Sequence, residues 1–356
     1  MNINILFRRF HNGLFYKVRK WHMRSYVHKL KKSHTNAKIL TTTQRKAIKS
    51  FYKDYGRVNP LFHNFYTEKT GVFSEKYIPD DLYYNNINLF YNNHLLAKSV
   101  DHKGYYHAIF PDIPQPHVVA CRKGGFWFTG YEPLAAEKLT ELLKTEKAVF
   151  IKLATDSGGG SGVQYLEPAN CGDFETAFQK CIQSMHGDLI IQRSLEQHKA
   201  LAMLNESSVN TLRILSLLRD GKVTIYSSIL RMGSHGAKVD NSSSGGISVG
   251  ITDEGKLKEF AYYTKGTSLS QHPDSGIVFK DYQLPSFKEA KALVQKAHWY
   301  IPHFRMVSWD VAIDPEGHPV LIEANMTDGQ LDFHQLNNGP LFGNDTKMIL
   351  DEVFGK

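Results

Sequence analysis

The sequence predicts an α+β protein with a helical, basic N-terminal extension. Three observations carry that expectation: where the charge lies, where the β-rich stretches begin, and one hairpin near the C-terminus. The chain has 356 residues with 42% hydrophobic and 22% charged content, ordinary values for a globular protein long enough to hold two or three domains. The formal net charge of +8 is not spread evenly. Residues 1–53 carry fourteen Lys and Arg and no Asp or Glu, leaving 29 basic against 35 acidic residues in the rest. The basic character belongs to an arm, and the body is mildly acidic.

Within the arm, Phe7, Phe10, Leu14, Val18 and Trp21 recur at three- and four-residue steps with Lys and Arg between them. That period predicts a basic amphipathic helix over residues 3–32. Such a helix fits an anionic membrane surface at residues 1–32, or a docking face turned onto the protein's own core. Nucleic acid is the competing anion, but no recognition motif accompanies the charge. Arg8, Arg9, His11 and Lys17 interrupt any signal-like apolar core, and no uninterrupted run is long enough to span a bilayer. The expected location is cytoplasmic, peripheral at the inner face of the membrane if the arm binds lipid. Cys121, Cys171 and Cys181 show no C-x-x-C spacing and read as buried reduced thiols rather than a zinc site or disulfide framework.

Residues 54–115 are rich in Tyr, Phe, Asn and His and predict short helices, ending in a linker marked by Pro111, Pro114 and Pro116. A strand at Val118-Val119-Ala120-Cys121, a turn at Gly124-Gly125 and a strand at Phe126-Trp127-Phe128 follow, then a helix over about 133–145. The strand Ala148-Val149-Phe150-Ile151-Lys152-Leu153 leads into Ser157-Gly158-Gly159-Gly160-Ser161-Gly162. Four glycines in five positions let backbone amides approach a phosphate closely, and Lys152 adds a point charge. The loop is neither a Walker loop nor a G-x-G-x-x-G turn into a helix, because another strand follows it. A flexible surface turn is the alternative.

A strand over residues 188–192 exits through Gln192, Arg193 and Glu196. Two further apolar strands carry Arg213 and Arg231, and Asp240-Asn241 opens a second glycine turn at Gly245-Gly246. A guanidinium on an apolar strand needs a partner, either a phosphate or a structural carboxylate. Ser286 and Glu289 have capping-box spacing and predict a helix to about Tyr300. In the final hairpin the turn sequence Asp314-Pro315-Glu316-Gly317 joins two apolar runs. Asp310 begins one strand there, and Glu323 and Asn325 end the other on one face. Two carboxylates and a carboxamide form a hard-oxygen set of the kind Mg2+ prefers, against the alternative of an ordinary surface hairpin with acidic ends.

The order of these parts resembles the ATP-grasp superfamily. The residues that carry the resemblance are Phe150-Ile151-Lys152 before a glycine flap, the strand ending at Gln192, Arg231 closing a strand, and Asp310 followed by Glu323-x-Asn325. Ser208-Val209-Asn210-Thr211-Leu212-Arg213, Val239-Asp240-Asn241 with Gly245-Gly246, and Ser308-Trp309-Asp310 more narrowly resemble the sugar-transfer-associated ATP-grasp group. The resemblance covers about residues 115–350 and implies an ATP-grasp domain over 116–356, with a nucleotide lobe at about 116–200 and a catalytic lobe at about 201–356. It further implies that Lys152 and Ser157 to Gly162 contact ATP phosphates, that Gln192, Arg193 and Glu196 meet adenine and ribose, and that Asn241 contributes to the nucleotide site. Asp310, Glu323 and Asn325 would hold one or two Mg2+ ions, or Mn2+ in their place. Arg231, Arg213 and Lys152 would serve catalysis. The implied reaction is ATP-dependent ligation of a carboxylate to an amine through an acyl phosphate, on a cell-surface polysaccharide sugar or its precursor. Phosphorylation of a hydroxyl is the alternative chemistry, and a membrane-recruited nucleotide-binding scaffold the alternative class. Two departures stand out: no upstream lysine is evident other than Lys123, and Gln192-Arg193 occupies a position where the family commonly has glutamate.

Overall fold

The computed structural model describes residues 39–155, 162–237, 245–264, 266–327 and 329–356. The amphipathic helix expected over residues 3–32 lies outside them. The body is built on two antiparallel sheets. One has six strands in the order β3-β2-β1-β6-β4-β5, the other seven in the order β11-β10-β9-β8-β7-β12-β13.

The six-stranded sheet comprises β1 (Val118–Lys123), β2 (Phe126–Thr129), β3 (Glu132–Pro133), β4 (Val149–Leu153), β5 (Val163–Leu166) and β6 (Leu189–Arg193). Val119, Val149, Ile151, Leu189 and Ile191 are buried in one cluster with Leu139, Leu143, Phe174 and Phe178. Those last four come from helices Ala136–Lys144 and Phe174–Gln183, each with its apolar residues on one side. This lobe therefore has its own core.

The seven-stranded sheet comprises β7 (Thr211–Arg219), β8 (Lys222–Met232), β9 (Ile247–Ile251), β10 (Leu257–Tyr263), β11 (Ser268–Leu269), β12 (Met306–Ile313) and β13 (Pro319–Asn325). Strands β7, β9 and β12 are buried on both faces, so their hydrophobic residues run almost continuously rather than alternating with exposed polar ones. Leu212, Ile214, Leu230, Val307, Trp309 and Val311 face a helix at Phe287–His298. The residues between them face the other way. There Leu215, Leu217 and Met306 pack with Ile48, Tyr52, Tyr83 and Ile87 from the helical N-terminal part and with Ile349 and Leu350 of the C-terminal helix. Residues 42–53, which charge alone groups with the arm, thus pack on the body: Thr42–Phe51 is a helix with a complete capping box between Thr41 and Gln44.

Two local expectations need correction. Ser286 precedes the helix Phe287–His298 but has φ of 49° and makes no side-chain cap, so the capping box is not formed. Asp310 does not begin its strand; it lies in the middle of β12, five residues in. The thiols are free, with Cys121 buried and burial pushing its pKa up to about 11, and Cys171 and Cys181 half-buried.

Candidate active site

Strand register brings the polar residues of the seven-stranded sheet together. Asp310 lies directly opposite Arg213 on one side and Glu323 on the other, and Ser308 lies opposite Asn325. Cross-strand neighbours on one face stand about 5 Å apart at Cβ. Apolar Leu212, Ile214, Trp309 and Val311 drive the opposite face into the core, and alternation turns Arg213 and Asp310 towards the helical side.

The result is a buried ionic cluster. Arg213 grips Asp310 with both prongs, Nε to Oδ1 at 2.7 Å and Nη2 to Oδ2 at 2.7 Å. Arg231 Nη1 donates to the same Oδ2 at 3.1 Å. Burial pulls the Asp310 carboxyl upward in pKa, but the two guanidiniums outweigh it and hold the group below the usual carboxylate range. Both arginines thus have a carboxylate partner in Asp310. Arg213 Nη1 also donates to Gln330 Oε1. Behind them His334 is buried, its Nδ1 2.8 Å from Ser227 Oγ, with burial and the arginine charges pushing its pKa down to about 3.

Sequence reasoning missed Lys103. This lysine is buried, and its Nζ lies 2.8 Å from Glu323 Oε1. Its backbone N–H donates to Ala154 O at 2.9 Å, just beyond β4, so one residue ties the six-stranded sheet to the acidic hairpin. The turn that presents it is held by His102 Nε2, 3.1 Å from Asp188 Oδ2. Gly104 is needed there, because a Cβ would stand 2.9 Å from the His102 ring. Nothing in composition or periodicity marks a lysine as buried, and Lys123, the candidate considered instead, lies over the Tyr105 ring at 4.4 Å.

On the six-stranded sheet, Lys152 sits on β4 and donates to Gln192 Oε1 at 3.1 Å, with its Nζ over the Phe150 ring at 5.5 Å. Register explains the pair: Gln192 lies opposite Phe150, two residues from Lys152 on the same face. Arg193 is turned elsewhere, forming a bidentate pair with Glu146 at 2.7 and 2.8 Å. Glu196 is exposed and paired with Lys147 at 2.9 Å. Gly162 ends the flap with φ of 76°, and any Cβ would meet Leu153 at 2.7 Å. Ser157, Gly158, Gly159, Gly160, Ser161 and Asn241 lie outside the described residues.

The donor chemistry of Asp310, Glu323 and Asn325 fits a hard divalent cation such as Mg2+. The set is two carboxylates and an amide oxygen on adjacent strands, with Glu323 partly open to solvent. Among the described residues no group of three or more His, Cys, Asp or Glu side chains converges as a metal cluster, as expected of a set with only two carboxylates. In this structure Lys103 and the arginine pair supply the positive charge against those carboxylates.

Two antiparallel sheets, a lysine-bearing strand ahead of a glycine-rich sequence, and an acidic hairpin on the second sheet agree with the ATP-grasp class. The family model described as "Sugar-transfer associated ATP-grasp" matches residues 86–349, and the chain belongs to that family. No curated protein matches the chain. Among solved structures, D-alanyl-alanine synthetase A from Vibrio cholerae is 12% identical over 76% of this chain and 66% of its own, with a TM-score of 0.39. The ATP-grasp ligase PsnB complexed with minimal precursor is 12% identical over 74% and 63%, TM-score 0.41. The biotin carboxylase domain of Hydrogenobacter thermophilus 2-oxoglutarate carboxylase is 11% identical over 72% and 46%, TM-score 0.44. The chain spans less than two thirds of the length of each of these structures.

Proposed function

We propose that this chain is an ATP- and Mg2+-dependent carboxylate–amine ligase acting through an acyl phosphate, on a sugar-linked substrate. The observation that carries the reading is the convergence of Asp310, Glu323 and Asn325 with Lys103, Arg213 and Arg231 on one face of the seven-stranded sheet. Asp310, Glu323 and Asn325 are the residues that would hold Mg2+. When bound, the ion screens the charge of the transferring phosphate.

The remaining work falls to the chain's own groups. Lys152 and the amides of the glycine flap orient the triphosphate, a task of positioning and electrostatics. A substrate carboxylate oxygen attacks the γ-phosphorus, the bond to the β–γ bridging oxygen breaks, and ADP leaves. The amine nitrogen then attacks the acyl carbon, and inorganic phosphate departs with the C–O bond electrons while the nitrogen loses a proton. In this reading Arg231 and Arg213, anchored on Asp310, lend positive charge to the negative charge that develops in both steps. Membership in the sugar-transfer-associated family supports a saccharide as part of one substrate.

The test is release of ADP and free phosphate with paired pools of carboxylated sugars and amino acids. Phosphate release that needs both an acid and an amine supports the ligase. A phosphorylated hydroxyl product, with no free phosphate, replaces it with the kinase chemistry.

A further inference from the structure

Strand β13 carries Glu323 and Asn325 and is an edge strand, with β12 on one side and no strand on the other. The outward N–H and C=O groups of such a strand need partners from elsewhere. Its register also breaks. Asp310 lies opposite Glu323 and Val311 opposite Leu321, so Ile322 has no partner and forms a bulge. The bulge resets the alternation: Leu321 packs in the core with Trp309 and Val311, whereas Glu323 turns to the face of Asp310. A bulged edge strand places its side chains closely only when its backbone is fixed from outside.

The helical segment 88–114 does this. Leu321 N–H donates to Pro114 O at 2.8 Å, and Ala324 N–H to Tyr106 Oη at 3.1 Å. Met326 O accepts from Asn88 Nδ2 at 3.2 Å and also from Asn92 Nδ2. Asn92 in addition accepts from Met306 N–H at 3.1 Å and donates to Met306 O. Its carboxamide thus stands in for a peptide group where β12 and β13 part. Tyr106, Asn88 and Asn92 are all buried. The two backbone groups that flank Asn325, the N–H of Ala324 and the C=O of Met326, are therefore each held by a buried side chain. Asn325 Nδ2 donates to Ser308 O at 3.2 Å, which leaves Oδ1 as its atom for a cation. Tyr106 lies one turn beyond Lys103, so one short stretch grips both the Glu323 carboxylate and the backbone next to it.

We infer that Tyr106 and Asn92, supported by Asn88, are positioning residues for the cation set, acting through the β13 backbone on Glu323 and Asn325. The inference rests on the proposed reading of Asp310, Glu323 and Asn325 as cation ligands. Hard cations tolerate only small errors in ligand distance, and partners that orient the ligands are worth roughly ten- to a hundredfold in affinity.

Electron paramagnetic resonance titration of Mn2+ into the full chain with AMP-PNP tests this, alongside calorimetric titration of metal-free AMP-PNP. Tyr106→Phe removes one hydroxyl and keeps the ring against Phe110. It should weaken Mn2+ binding about tenfold and leave the binding of metal-free AMP-PNP unchanged. Asn92→Ala should weaken Mn2+ binding at least as much. Should that variant not fold, Asn88→Ala takes its place, with an expected loss of about threefold, the scale of one net hydrogen bond. Tyr52→Phe is the control: it removes a buried hydroxyl bond of the same kind, to Tyr77 O at 2.9 Å, in the same helical layer. Mn2+ binding should not change in it. Wild-type Mn2+ affinity in Tyr106→Phe overturns the inference, and so does an equal loss in Tyr52→Phe, which would mark general loosening. A wild-type chain that binds no Mn2+ overturns the cation reading itself, and the inference with it.

Discussion

The two sheets carry comparable sets of charged residues and use them in opposite ways. On the seven-stranded sheet, Arg213 and Asp310 are paired with side chains only 6% and 4% exposed. At the exit of the six-stranded sheet, Arg193 and Glu146 pair with 54% and 8% exposure, and Lys147 and Glu196 with 89% and 69%. In sequence Arg213 lies on an apolar strand while Asp310 and Arg193 read as strand-end charges, and nothing local says which of them is shut off from water. The difference is solvent. A pair in water is worth little, because each ion was already well hydrated. A pair out of water is costly to break, because the partner left behind has no other source of compensation. The buried cluster is thus a rigid, charged fixture, whereas the exposed pairs are surface detail.

The largest break in this contrast comes from Glu323→Gln. The amide can still accept from Lys103 Nζ, so the fold should hold, but one anionic ligand is gone. Turnover should fall roughly 10²-fold or more, the scale of losing one preorganised electrostatic contact. Steady-state ADP release alongside circular dichroism checks both halves; an active variant at ordinary Mg2+ removes Glu323 from the site.

Asp310→Asn comes next, and it acts on stability as well as on chemistry. It leaves two buried guanidiniums without their counter-charge and should cost about 3–5 kcal/mol in urea unfolding. A loss under about 1 kcal/mol would show the cluster to be better hydrated than its burial indicates.

A third test uses pH on the helical layer that covers the same sheet. Burial, with the Asp332 charge next, pushes the Asp80 carboxyl well above its usual range, while Tyr66 donates to it at 2.7 Å. Unfolded, the group ionises above its usual value near 4; folded, it resists. It therefore destabilises the protein progressively as pH rises from about 4 towards its folded pKa. Asp80→Asn keeps an acceptor for Tyr66 and removes that penalty. The variant should melt higher than wild type at pH 7, with the gain shrinking towards pH 4. A gain that does not depend on pH would assign the effect to packing.

The smallest effect is expected from Arg193→Ala, which removes the exposed partner of the pair and opens Glu146 to solvent. Stability should change by about 1 kcal/mol or less. A simultaneous rise in the KM for ATP would place the Arg193 region at the nucleotide despite the pairing with Glu146.

Much of this architecture was legible in the sequence. The alternation in 308–325 and its turn residues specified a hairpin with Glu323 and Asn325 at the end of a strand, because period-two burial and a Pro-Glu-Gly turn are local properties. The strand bearing Lys152 and the apolar strands bearing Arg213 and Arg231 were legible for the same reason. Tertiary structure alone decided what those side chains face. Whether Arg213 meets a phosphate or Asp310 depends on the order β7-β12-β13 and a register set by strands almost a hundred residues apart. Lys103 shows this most clearly. Its backbone is bound to Ala154 and its ammonium to Glu323, 220 residues further along the chain, and no local pattern encodes a contact between segments that meet only when two sheets close on each other.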